Sequence, residues 1–196
     1  MISPSASTAS APIVIGFDAE TNGNPSPAFK TIVGDWRVSE QAGAKGLKVD
    51  GARWQRGMPM FPVALWNGGR PVGDLRESVR FFPQAGKVDQ AAGIVLSTAS
   101  DGSYWAVRAN ALENNVLLFH VVDGKRTVVD SVPDVPTPTK TWHTLELELR
   151  GRAPTAKVDG MKRLEKTLEF SPEGRLGLWS KADSQIVFDD FTVTPL

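Results

Sequence analysis

The chain has 196 residues, with 22 Lys+Arg balanced by 22 Asp+Glu, so it carries no formal net charge at pH 7. That length fits one domain, and 41% hydrophobic residues are enough for a packed core, which excludes disorder for the bulk of the chain. Charge balance without a basic block argues against nucleic acid or an anionic membrane as partner, and the absence of Cys removes disulfides, thiolate metal sites and cysteine nucleophiles.

In chain order, residues 1–11 read MISPSASTASA, small, polar and uncharged, and a flexible N-terminal tail is expected there. A Ser/Ala-rich lead of this kind is also what remains after removal of a signal peptide, so a periplasmic or secreted location is expected. No apolar run approaches the ~20 residues that span a bilayer, and membrane insertion is not expected. From Pro12 onward the apolar residues alternate with period two and turn residues recur, which predicts strands and no helix. The predicted strands are Ile13–Phe17, Phe29–Ser39, Gly46–Asp50, Val63–Trp66, Leu75–Phe82, Gly93–Thr98 and Ser103–Asn110. They continue with Val116–Val122, Arg126–Ser131, Trp142–Arg150, Ala153–Val158, Arg163–Phe170, Arg175–Ser180 and Gln185–Thr194. Pairs such as Asn22-Gly23, Asp101-Gly102, Asp123-Gly124 and Asp159-Gly160 supply the turns between them. So many short strands predict an all-β, two-sheet antiparallel sandwich, with residues 12–196 as a single domain.

Alternation also assigns faces. In Trp142–Arg150, Leu145, Leu147 and Leu149 share one side while Thr144, Glu146, Glu148 and Arg150 share the other, the signature of a strand with core on one side and water on the other. In Ser103–Asn110 the apolar side is Trp105, Val107 and Ala109, and the opposite side carries Tyr104, Ala106, Arg108 and Asn110. An aromatic ring beside a guanidinium and an amide suits a sugar, whose ring has an apolar face and whose hydroxyls donate and accept hydrogen bonds. A solvated face on which Tyr and Arg merely stack has the same pattern.

Several segments in succession resemble the concanavalin A-like lectin and glucanase jelly rolls, in particular the laminin-G-like and 3-keto-disaccharide hydrolase-like domains of bacterial exported proteins. They are Phe17-Asp18-Ala19-Glu20, Gly34-Asp35-Trp36-Arg37-Val38, Gly93-Ile94-Val95-Leu96, Tyr104 to Asn110, Val121-Val122-Asp123-Gly124 and Trp142-His143-Thr144-Leu145. Val158-Asp159-Gly160, Gly174-Arg175-Leu176-Gly177-Leu178-Trp179 and Phe188-Asp189-Asp190-Phe191-Thr192-Val193 complete the set, so the resemblance covers nearly the whole chain. It implies a jelly roll with a ligand on its concave sheet, and it fits binding modules, glycosidases and structural modules alike. The glucanase members place paired carboxylates in a Glu-x-Asp-x-x-Glu run, and this chain has no such run. Glu113 offers a single carboxylate beyond the polar side of Ser103–Asn110, and His120 is the other weak candidate for a general acid or base. His120 and His143 both alternate with apolar neighbours, as histidines at the margin of a core do.

The same resemblance implies that a cation can tie the first strand to the last, and Asp18, Glu20, Asp189 and Asp190 are the oxygen donors for a structural Ca²⁺. The alternative is no cofactor at all, with Asp189 or Asp190 capping backbone amides or pairing with Arg37. Among the six Trp, Trp54 and Trp66 fall in the Gly/Pro/Arg-rich stretch 51–73 and are candidates for an aromatic rim, with Trp66 alternatively buried. Lys181 and Asp183 follow the Gly-Leu-Trp strand and either reach that rim or close a hairpin. The preferred expectation is a non-catalytic carbohydrate-binding module with Tyr104, Arg108 and Asn110 central and Trp54, Trp66, Lys181 and Asp183 peripheral. A glycosidic-bond-cleaving enzyme acting through Glu113 or His120, and an assembly domain docking another protein, are the alternatives.

Overall fold

The computed structural model describes residues 11–41, 43–71, 73–169 and 171–196, and the expected N-terminal tail lies almost wholly outside them. None of the described residues is helical. Fifteen strands are formed: β1 (Ile13–Ile15), β2 (Phe29–Val33), β3 (Trp36–Gln41), β4 (Ala44–Asp50), β5 (Val63–Trp66), β6 (Leu75–Ala85), β7 (Ala91–Thr98) and β8 (Tyr104–Asn110). They continue with β9 (Asn115–Val122), β10 (Lys125–Val132), β11 (His143–Arg150), β12 (Ala153–Val158), β13 (Met161–Glu165), β14 (Gly177–Ser180) and β15 (Gln185–Pro195). The first sheet has the order β13-β12-β11-β6-β15-β4-β3, with β1 also paired to β15, and the second has the order β10-β9-β8-β7-β14-β5-β2.

The strand predicted as one run from Phe29 to Ser39 is two, β2 in the second sheet and β3 in the first. Gly34 makes the crossing: its φ is +96°, and a Cβ there would stand 2.8 Å from Cβ of Pro62, so neither the backbone nor the space admits a side chain. At the other end of the chain, β15 pairs with β4 through Gln185–Phe188 and with β1 through Phe191–Val193. The break between those two pairings falls at a register shift against β6, where Asp190 takes a φ of 51°.

The core lies between the sheets. Leu145, Leu147 and Leu149 of β11 and Val79 and Phe81 of β6 belong to one buried cluster with Trp105 and Val107 of β8 and Ile94 and Leu96 of β7. Each such side chain contributes roughly 1.5–3 kcal/mol over leaving it in water. On the solvent side of β11, Glu146 meets Lys157 at 2.7 Å and Glu148 meets Arg76 at 2.7 Å, as the alternation of that strand predicts. Trp66 belongs to this core: it is 4% exposed, 5.9 Å from the ring of Phe191, and therefore not on any rim. Glu77 is the misfit, a fully buried carboxylate on β6 with neither oxygen hydrogen-bonded. Burial holds its pKa well above the usual carboxylate range, while the Arg70 guanidinium pulls the other way.

Candidate functional site: the outer face of the second sheet

The outer face of the second sheet is built around β8. Pairing sets Tyr104, Ala106 and Arg108 opposite Val121, Phe119 and Leu117 of β9, and sets Val95 and Gly93 of β7 opposite Ala106 and Arg108. Trp179 of β14 falls between Gly93 and Val63. These residues form a second buried cluster, separate from the core between the sheets, with Phe61 packed against it. Trp179 is completely buried there, its ring 4.9 Å from Phe119 and 5.5 Å from Phe61, and its indole N–H donates to the Tyr104 hydroxyl at 3.0 Å. Gly93 makes room for it, since a Cβ would come within 3.1 Å of the Trp179 ring and 3.2 Å of the Arg108 Cβ. Burial pushes the Tyr104 phenol up to about 12, against the opposing pull of the Trp179 hydrogen bond and the Arg126 charge.

At one end of this face the polar residues close on each other. The Arg108 guanidinium donates to the Glu113 carboxylate and to the Asn115 side-chain carbonyl, both at 2.5 Å. Lys181 lies 2.8 Å from Asp89 and 3.7 Å from Glu113. Asn110 donates to Asp89 at 2.7 Å and accepts from the Leu112 N–H at 2.9 Å. Asp183 accepts the backbone N–H groups of Lys87, Val88 and Asp89 at 2.7–3.1 Å. Partial burial pushes the Glu113 carboxyl upward, but Arg108, Asn115 and Lys181 outweigh it and hold the group below its ordinary value. Asp183 behaves likewise, its burial outweighed by the three amides. The structure brings Arg108, Asn110, Glu113 and Lys181 into one side-chain network through Asp89 and Asn115, while Asp183 holds the backbone of residues 87–89 beside it. The open polar surface expected at the sheet centre is corrected, because Arg108 and Asn110 are fully buried, with both Arg108 Nη atoms and the Asn110 amide bonded within the protein and Arg108 Nε left without an acceptor.

The opposite end of the face is open. A cleft of about 410 Å³ is lined by Ile32, Met60, Phe61, Thr98, Tyr104 and Val121, among others. An adjoining hollow of about 220 Å³ is lined by Trp54 with Arg53, Met58 and Pro59. Over the cleft edge, Arg126 of β10 stands opposite Val121 and brings its guanidinium 5.8 Å from the Phe61 ring and 5.5 Å from the Phe119 ring.

The remaining candidates lie elsewhere. His120 faces the core side of β9, stacked on Trp105 at 4.5 Å, and burial lowers its pKa against the pull of Asp101. His143 is buried, with Nδ1 2.8 Å from the Asp159 carboxylate and Nε2 2.9 Å from the Pro138 carbonyl. On the first sheet, Asp189 and Asp190 meet Arg80 at 3.7 and 3.2 Å, while Arg37, the expected partner, pairs with Asp35 instead. The Lys45 ammonium donates to the carbonyls of Asp18 and Glu20 at 2.8 and 3.0 Å. Among the described residues no three His, Asp or Glu side chains gather as a cation site would require. Phe61, Asp89, Arg126 and Trp179 were not singled out from sequence as parts of this face. Trp179 sits in an apolar Gly-Leu-Trp run that reads equally as core, and only the pairing of β14 with β7 decides its side.

No family model matches the sequence, and no curated protein matches it significantly. Among solved structures, the carbohydrate-binding module CBM66 from Bacillus subtilis superposes with a TM-score of 0.69 at 18% identity, covering 86% of this chain and 96% of that one. A cellulose-induced protein, Cip1, gives 0.63 at 14% identity, covering 92% and 96%. The Bacillus licheniformis β-glucanase gives 0.61 at 9% identity, covering 95% and 99%. With two antiparallel sheets, their connectivity and these neighbours together, the fold is a concanavalin A-like jelly-roll sandwich.

Proposed function

We propose that this domain is a non-catalytic carbohydrate-binding module whose ligand lies in the cleft on the outer face of the second sheet. The observation that carries the reading is the composition of that face. Its open end is lined by an aromatic side chain, Phe61, beside Tyr104 and Thr98, in a cleft of about 410 Å³, within the size range of small-ligand sites. The Tyr104 hydroxyl accepts from Trp179 and so keeps its own proton to donate. The likeness to a carbohydrate-binding module supports the same reading.

Hydrolysis is the weaker reading because glycoside cleavage needs a proton-donating carboxylic acid beside a second carboxylate. On this face Asp89 and Glu113 are engaged by cations and Asp183 by amides. The carboxyl groups with raised pKa, Glu77 and Asp189, lie in the core and on the first sheet. Docking of another protein is a second reading, favoured by Ile32, Met58 and Met60, which are 45–49% exposed around the cleft.

A thermal-shift screen against a glycan panel tests the proposal, since a ligand of the folded state raises the midpoint in a concentration-dependent way. A saturable shift with one sugar class, abolished in Phe61→Ala, is expected. A flat panel, or a shift indifferent to Phe61→Ala, would contradict it.

A further inference from the structure

Two of the cations on the outer face of the second sheet have carboxylate partners, Arg108 with Glu113 and Lys181 with Asp89. Arg126 has none. Among the described residues no ion pair or hydrogen bond reaches its guanidinium, and Nη1 is shut from solvent without an acceptor. What holds the group in place is the pair of rings, Phe61 and Phe119. Phe61, whose ring the Arg126 guanidinium overlies, and Val121, its pairing partner, line the cleft, so the unpaired charge stands next to that lining. The Arg126 charge also reaches the Tyr104 phenol. That phenol is a donor as well, because its oxygen already accepts the Trp179 indole proton.

A cleft bordered by a cationic donor and a phenolic donor favours a ligand that brings acceptors and negative charge. The planar fork of a guanidinium matches the two oxygens of an oxyanion, and ring contacts keep it oriented before the ligand arrives. We infer that the cleft takes an acidic glycan, one whose carboxylate or sulfate sits on the Arg126 guanidinium beside the Tyr104 hydroxyl. This rests on the carbohydrate reading and narrows it to anionic sugars.

The test is isothermal titration of the protein with uronate oligomers, the same oligomers with their carboxyls methyl-esterified, sulfated oligosaccharides, and neutral glycans. At least one acidic series is expected to bind about tenfold or more tightly than its uncharged counterpart, as loss of a charge-assisted hydrogen bond implies. Added salt should erode that margin. Arg126→Gln should erase the preference while the protein stays folded, and Arg126→Lys should keep the charge yet recover only part of it. Which acidic series binds separates carboxylate from sulfate. Tighter binding of neutral glycans, or a preference unchanged in Arg126→Gln, would overturn the inference and leave the carbohydrate reading standing. Binding of no glycan would overturn both.

Discussion

The outer faces of the two sheets solve opposite problems with similar residues. On β11 the charges of Glu146 and Glu148 stand at the surface and each has cationic neighbours, so they are interchangeable solvated pairs. On β8 the corresponding face carries Tyr104, Arg108 and Asn110, all buried, Tyr104 packed and hydrogen-bonded against Trp179 and Arg108 and Asn110 tied to Glu113, Asn115 and Asp89. A sheet needs one buried face to fold. Burying the second face of one sheet as well holds polar groups in place and leaves a shaped, half-open cleft, which water-facing pairs on a flat sheet do not provide.

The largest way to break that contrast is Trp179→Ala. It empties the second cluster and frees the Tyr104 hydroxyl, and a loss of about 3–5 kcal/mol in chemical denaturation is expected. A loss below about 1 kcal/mol would mean that this face is not packed as described. Next, Arg108→Met takes the guanidinium away from Glu113 and Asn115 and should cost about 1–3 kcal/mol, whereas Glu148→Gln on the first sheet should stay within about 0.5–1 kcal/mol. Equal effects at the two sites would erase the distinction between the faces. The pH dependence sharpens it further. Glu113 and Asp183 have folded pKa values below their ordinary 4.5 and 3.8, so the folded state binds fewer protons than the unfolded chain in that range. Their contribution is complete above those ordinary values and is lost as pH falls through the depressed ones. Acid denaturation of Asp183→Asn should accordingly be shallower over that window, and an unchanged slope would remove Asp183 from the account.

Much of the fold was legible in the sequence because strand alternation reports faces directly. Leu145, Leu147 and Leu149 point inward as their spacing says, and Trp105, Val107 and Ala109 do the same on β8. Alternation does not say whether the second face is wet or covered, and that is where the expected exposure of Arg108 and Asn110 departs from the structure. Arg108 looks solvent-facing beside Tyr104 until the Trp179 side chain of β14 and Phe61 are placed on the same face. Trp66 reads as a rim aromatic from its irregular stretch and as core from the apolar run it ends, and the pairing of β5 with β2 and β14 decides for the core. Glu77 carries the opposite lesson, since its place between Leu75 and Val79 is inward by period and the side chain follows the period although a carboxylate is costly there. Long-range register decided these cases, and no local window contains it.

The central claim is that the ligand occupies the open end of the outer face of the second sheet. Backbone amide chemical-shift mapping during titration with the glycan found by screening tests it most directly. The account predicts perturbations concentrated at Phe61, Thr98, Tyr104, Gly124 and Arg126, with β11, β12 and β13 silent. Perturbations centred on those three strands instead, or spread evenly over both sheets, would contradict it.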